Sequence, residues 1–88
     1  HDYYDARLQL IERAMTAYFD YFLADRALVV NAEAQQLLRE FRDNAQVRYR
    51  TGQTPQQDVF QAEVEIGTQQ ERQLTLERSK QVAAARLN

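Results

Sequence analysis

Apolar residues recur every three or four positions along two stretches of the chain, which predicts two amphipathic helices. Residues 3–50 contain no glycine or proline, and residues 56–88 contain only Gly67. Between these stretches, residues 51–55 form the only strong cluster of helix-breaking residues. The pattern predicts an all-α fold, a long antiparallel helical hairpin similar to a coiled coil. One unit spans residues 1–88, with arm 1 at about 3–50, the tip at 51–55 and arm 2 at about 56–88.

Arm 1 carries apolar residues at alternating spacings of three and four, but the phase slips near its middle. Such a slip changes the local supercoil or marks a bend. The polar residues Asp25 and Arg26 interrupt the pattern, so a break between residues 25 and 31 is the alternative to one continuous helix. The predicted contact stripe of arm 1 is Leu8, Ile11, Met15, Tyr18, Phe22, Val30, Leu37 or Leu38, Phe41 and Ala45.

Arm 2 is more polar, and its apolar stripe is interrupted by Gln69 and Gln73. A helix this polar buries only a narrow face, which predicts a thin seam between two close helices. The stripe consists of Val59, Ala62, Ile66, Leu76, Ala83 and Leu87. Folding back at Gly52 is predicted to bring Phe41 near Val64, Leu38 near Ile66 and Phe22 near Val82.

Large apolar side chains crowd residues 18–23 and point in several directions around the helix. A single partner helix does not cover such a ring, so further helices are expected to pack on it. We therefore predict self-association of the chain through the face with Tyr18, Tyr21 and Phe22.

Several local signals specify the tip. Gly52 is expected to adopt the left-handed conformation that ends a helix. Thr54, Pro55 and Gln57 fit a capping box, with Thr54 as the N-cap and Pro55 at the first helical position. Three charged residues complement the helix dipoles at the two ends, namely Arg48, Arg50 and Asp58.

Composition excludes several classes of function. The chain has no cysteine and one histidine, so it offers neither a disulfide framework nor a site built from thiolates or several histidines. The net charge is −2 and charges of both signs are interspersed, which does not indicate a nucleic-acid partner. We expect no catalytic, cofactor or metal site, and hence no enzymatic activity. Neither a transmembrane segment nor a signal peptide is recognisable, although the chain could be a piece of an exported protein.

The residues around the tip resemble a known family. Residues 45–63 read A-x-x-R-Y-x-x-G-x-x-x-x-x-D-V-x-x-A-E. This run is similar to the periplasmic hairpin of TolC-type outer membrane efflux proteins, and the C-terminal residues 83–88 resemble the end of the returning helix. The resemblance covers essentially the whole chain. The details are most similar to the heavy-metal efflux branch and to the first of the two family repeats.

The resemblance implies a transport component of the outer membrane of a Gram-negative bacterium. Family members are trimers in which each protomer contributes two hairpins to a periplasmic helical tunnel. The tips meet a periplasmic adaptor (membrane fusion) protein, which links the tunnel to an inner-membrane pump. By analogy with the family, the choice between metal and drug as exported substrate lies largely in the pump.

Individual tip residues match the family motif to different degrees. Carried over by resemblance, the adaptor-docking tip comprises Tyr49, Arg50, Thr51, Gly52, Gln53 and Thr54. Asp58 and Gln61 are the candidates for the lumen or the tunnel entrance. Many members have an apolar residue where this chain has Gln53, and some have a second acid where it has Gln61. These departures argue against an apolar knob contact and against a strong acidic ring.

Two other functions fit the same pattern. The chain could be the α-hairpin of the periplasmic adaptor itself, which is also long and antiparallel. It could also be a free-standing coiled-coil interaction module without a transport role. Flanking β segments similar to lipoyl domains would indicate the adaptor, whereas amphipathic barrel strands would indicate the channel.

Overall fold

The computed structural model describes residues 2–88, which form two α-helices and no strand. Helix α1 is Asp2–Arg50 and helix α2 is Gln56–Leu87. The all-α helical hairpin predicted from the sequence is confirmed. Helix α1 continues without interruption through residues 25–31, so the alternative of a broken arm 1 is wrong.

The hairpin divides into two compact units, and each contains a stretch of both helices. Unit 1 combines the part of α1 up to Leu28 with Thr75–Asn88. Unit 2 is Val29–Leu74 and contains the turn between the helices. Alanines occupy buried positions between the helices in both units, and unit 2 also buries Ile66, Asn31 and Gln35.

Unit 1 is held together by an alanine seam. Ala17 and Ala24 of α1 and Ala83 of α2 are buried, with 5% or less of their surface exposed. Half-buried residues flank them, namely Tyr21, Leu28, Leu76 and Lys80. Methyl side chains let two helix backbones approach closely, which compensates in part for the small apolar area each contributes.

An ion pair borders the alanine seam of unit 1. Lys80 Nζ lies 2.7 Å from Asp25 Oδ1 and 5.3 Å from the centre of the Tyr21 ring. The hydrogen bond to Asp25 is the main cause that raises the pKa of Lys80 above its ordinary value. Near the end of α2, Arg86 and Asp20 form a looser pair at 3.7 Å. These contacts join α1 to α2 on either side of Ala83.

Unit 2 has a mixed seam of apolar and amide side chains. Ala45, Ala62 and Ile66 are its buried apolar residues. Asn31 and Gln35 are buried beside them, with 3% and 4% of their surface exposed. Two uncharged polar side chains thus lie where a coiled coil ordinarily carries leucine or isoleucine.

The buried amides form a hydrogen-bonded cluster with Gln69 and Gln73 of α2. Asn31 Nδ2 donates to the Gln69 backbone oxygen at 2.9 Å and to Gln69 Oε1 at 3.1 Å. Gln35 Nε2 donates to Asn31 Oδ1 at 2.6 Å and to Gln73 Oε1 at 2.8 Å. Arg39 Nη2 donates to Gln35 Oε1 at 3.2 Å. No buried side-chain nitrogen or oxygen among residues 2–88 lacks a partner, so the cluster avoids the cost of unpaired polar groups.

The contact stripe predicted for α1 is largely wrong. Most of its large side chains, including Met15, Phe22 and Phe41, are more than half exposed. The buried apolar residues of α1 are instead small, since Ala17 and Ala24, which lie outside the predicted stripe, are covered in place of its larger members. Ala45 is the buried member of the predicted stripe, and Leu38, the second of the two alternatives at that position, is half-buried.

The stripe predicted for α2 is correct along most of its length. Its members are buried or half-buried apart from Leu87, and Gln69 and Gln73 lie within it. Of the three residue pairs predicted to face each other across the hairpin, one agrees with the burial in the structure and two do not. Leu38 and Ile66 are both at least half-buried, but the side chains of the other two pairs are between 47% and 66% exposed, namely Phe22, Phe41, Val64 and Val82.

Candidate functional site

Helix α1 ends in a Schellman motif at the turn. Gly52 N–H donates to the Tyr49 oxygen at 3.0 Å, and Gln53 N–H donates to the Arg48 oxygen at 2.8 Å. Gly52 has a φ of 76°, the left-handed conformation that this motif requires at the residue after the cap. The conformation predicted for Gly52 is therefore confirmed. The Thr51 hydroxyl also donates to the Arg48 oxygen, at 3.0 Å.

The predicted capping box at the start of α2 does not form. The helix begins at Gln56, which agrees with the bounds predicted for arm 2, but Pro55 precedes the first helical residue and does not occupy that position. Asp58 N–H donates to the Pro55 oxygen at 3.1 Å and closes the first turn. Among the described residues, the Thr54 hydroxyl makes no hydrogen bond to Gln57. The first turn of α2 is therefore closed by the Pro55 carbonyl, which accepts from Asp58 N–H, and not by the Thr54 hydroxyl.

The tip presents exposed side chains of mixed chemistry. Arg50, Thr51, Gly52 and Gln53 are exposed, and Tyr49 is 45% exposed. Thr54 is half-buried. A Cβ atom added at Gly52 would meet no heavy atom within 4 Å, so the space beside this residue is open. The backbone of the turn is therefore accessible to an approaching protein. Polar and aromatic side chains lie beside it.

Asp58 and Gln61 lie beside the tip on one face of α2. Asp58 is half-buried and Gln61 is exposed. Both line a shallow groove of about 320 Å³, together with Leu38, Phe41, Ala62 and Glu65. The structure thus brings the two entrance candidates together on one groove, whose floor is apolar and whose rim carries two carboxylates.

Comparisons with known proteins identify no relative. No protein-family model matches the chain, no curated protein matches it, and no solved structure matches it. The family resemblance at the tip therefore depends on the motif residues themselves.

The described residues contain neither a metal-binding cluster nor a helix that could span a membrane. Residues 2–88 contain no group of three or more histidine, cysteine, aspartate or glutamate side chains arranged to hold a metal ion. Neither α1 nor α2 is long and apolar enough to cross a membrane.

Sequence reasoning missed the amide cluster of unit 2. It noted Gln69 and Gln73 on the stripe of α2 but did not place Asn31 and Gln35 opposite them. A signal was present, because residues 17, 24, 31, 38 and 45 recur every seven positions and are alanine, alanine, asparagine, leucine and alanine. Small or polar residues at a strict heptad spacing indicate the inner seam of α1 better than its larger apolar residues do.

Proposed function

We propose that this chain is a non-enzymatic transport component, the periplasmic tunnel hairpin of a tripartite outer membrane efflux channel. In this proposal its tip docks a periplasmic adaptor protein, through which the channel connects to an inner-membrane pump. The parent protein is a trimer in the outer membrane. The observation that carries the proposal is the Schellman turn at Gly52, which lies at the glycine of the family motif and leaves the tip side chains exposed.

The distribution of apolar side chains supports a role as a wall element. Because alanines and amides fill much of the space between α1 and α2, most of the large apolar side chains are exposed. Exposed residues of this kind occur on both helices and in both units, for example Phe22, Phe41, Phe60 and Leu74. A hairpin in a tunnel wall needs such surfaces, since it packs sideways against neighbouring helices.

The docking experiment uses cells that produce the parent protein together with its candidate adaptor. A photo-cross-linking amino acid is placed at Gln53, which is exposed at the tip, and as a matched control at Gln70, which is exposed on α2. We expect cross-links to the adaptor from position 53 and none from position 70. Cross-links from position 53 to an outer membrane channel would instead indicate the hairpin of an adaptor. The absence of both products would favour a free-standing coiled-coil module.

Substitution of the two glycines tests docking at the tip, with Gly52→Ala as the control for the strain that any side chain meets at positive φ. Gly52→Trp adds bulk at the open corner of the turn, whereas Gly67→Trp adds the same bulk at a helical site that also has open space around it. We expect Gly52→Trp to reduce both adaptor capture and efflux at least tenfold. Gly67→Trp is expected to leave them unchanged. Full docking and efflux by Gly52→Trp would show that the tip is not the docking site.

A further inference from the structure

The N-terminal half of α1 carries a second apolar seam that α2 does not cover. Its members follow alternating spacings of four and three residues, the repeat of a coiled coil. Each of these side chains is between 41% and 67% exposed. The second seam consists of Tyr4, Leu8, Ile11, Met15, Tyr18 and Phe22.

The second seam is separate from the alanine seam of unit 1. Tyr18 and Phe22 of the second seam each lie one position after a residue that α2 covers, namely the buried Ala17 and the half-buried Tyr21. One residue corresponds to about 100° around a helix, so α1 presents two adjacent contact faces. On the second face, the Tyr18 and Phe22 rings lie 5.0 Å apart and form a continuous aromatic surface.

We propose that the second seam binds a second copy of this chain, with the two α1 helices parallel and in register. In that arrangement each residue of the second seam contacts the same residue of the other copy, so all six contact positions along the interface are apolar. The residues that flank the seam then lie five positions apart across the interface. Arg7 faces Glu12 of the partner copy, which is an attractive pair repeated twice by symmetry. Ala14 faces Phe19 of the partner copy, which matches a small side chain to a large one.

Charge distinguishes this arrangement from the antiparallel one. An antiparallel pair in which all six apolar residues overlap is centred between Ile11 and Met15. That centre places Glu12 of one copy close to Glu12 of the other, which is repulsive. Arg7 and Glu12 form no ion pair within residues 2–88, so both remain available to a partner. Their opposite charges therefore favour the parallel orientation.

The area that a second copy would bury on the second seam is also large enough for a specific interface. Covering the six exposed side chains would bury about 600 Å² on each copy, or about 1,200 Å² in the pair, which exceeds the roughly 1,000 Å² of a specific interface. The proposal does not depend on the proposed function, because the second seam lies outside the tip and is tested on the chain alone.

The chain contains no cysteine, so single cysteines can report the orientation. Leu8→Cys lies in the core of the proposed interface, and Gln9→Cys is a neighbouring exposed control. We expect the chain to sediment as a dimer and Leu8→Cys to form a disulfide with itself at least tenfold faster than Gln9→Cys. Circular dichroism confirms that each variant is helical. A monomer at all concentrations overturns the proposal. So does a disulfide that forms only between Leu8→Cys and Tyr18→Cys chains, which would show the antiparallel orientation.

Charge reversal tests the flanking pairs independently of the core. Arg7→Glu places like charges opposite each other twice, and we expect it to weaken the dimer about tenfold. The double variant Arg7→Glu, Glu12→Arg is expected to restore the dimer. An equimolar mixture of Arg7→Glu and Glu12→Arg chains should form more heterodimer than the half of all dimers that random pairing gives. A heterodimer share of one half or less would contradict the parallel pairing.

Discussion

The amide cluster of unit 2 leads to a prediction whose sign depends on how many of its members are replaced. Asn31→Ala removes three hydrogen bonds, two to Gln69 and one from Gln35. Gln35 keeps its bond to Gln73, but it loses an acceptor in a buried position. A buried polar group that loses its partner costs more than the average net value of a hydrogen bond.

The magnitude follows from the number of bonds. Three bonds at about 1 kcal/mol each amount to about 3 kcal/mol of lost stability. Alanine has a higher helix propensity than asparagine, which adds about 0.6 kcal/mol to the stability of the variant. The expected net loss is therefore about 2.4 kcal/mol. With a urea dependence of about 1.5 kcal/mol per molar, the unfolding midpoint falls by about 1.6 M.

The assay is urea unfolding followed by circular dichroism at 222 nm, with all variants at one protein concentration. Gln36→Ala is the matched control, since Gln36 is exposed and only donates to Glu40 at 3.3 Å. We expect the control to change the free energy of unfolding by less than about 0.5 kcal/mol. Equal effects of Asn31→Ala and Gln36→Ala would refute the claim that the cluster stabilises the hairpin.

Replacement of the whole cluster is expected to have a different effect. Changing all four amides to leucine removes the buried donors and acceptors of the cluster together, and only the half-buried Arg39 loses an acceptor, which its exposed part can replace with water. The free energy of unfolding is then expected to equal or exceed that of the unmodified chain. A loss larger than that of Asn31→Ala would contradict this reasoning. The four changes are Asn31→Leu, Gln35→Leu, Gln69→Leu and Gln73→Leu.

Three further predictions concern the turn, the alanine seam and the ion pair. Gly52→Ala is expected to lower the free energy of unfolding by about 1 kcal/mol, because alanine disfavours positive φ. Gly67→Ala is expected to raise it by about 1 kcal/mol, since the site is helical and open. Ala24→Leu overfills the seam and should cost about 2 kcal/mol in the same urea assay. For Lys80, mass spectrometry is expected to show slower acylation than in Asp25→Asn at pH 9, because the ion pair raises the pKa of Lys80.

Each of these predictions has an outcome that would count against it. Equal effects of the two glycine substitutions would exclude a special role for the backbone at the turn. An unchanged midpoint for Ala24→Leu would mean that the helices are not closely packed there. The folded pKa of Lys80 is raised, so the attraction to Asp25 is complete at neutral pH and is lost as the pH rises through that pKa. A loss of the pair on acidification alone, with no change above pH 10, would contradict that sign.

Local chemistry explains why the helices and the turn could be predicted from the sequence. Helix formation follows from the long stretches without glycine or proline, and the end of α1 follows from Gly52, which reaches positive φ at little cost. The sequence does not determine the first helical residue of α2 to better than one position, because Thr54 and Pro55 both suit the positions before a helix. These signals act over a few residues and do not require knowledge of what packs on the helix.

The choice of contact face was decided only by the tertiary structure. Helix α1 carries two sets of residues with a coiled-coil spacing, one of small and polar residues and one of large apolar residues. Periodicity alone does not tell which set faces α2, and hydrophobicity favours the larger one. The structure places the alanines inside because close helices exclude bulky side chains, and because Asn31 and Gln35 find partners in Gln69 and Gln73. The sequence by itself thus determined the two helices and their turn, whereas packing and hydrogen bonding across the hairpin determined which surface remains for other proteins.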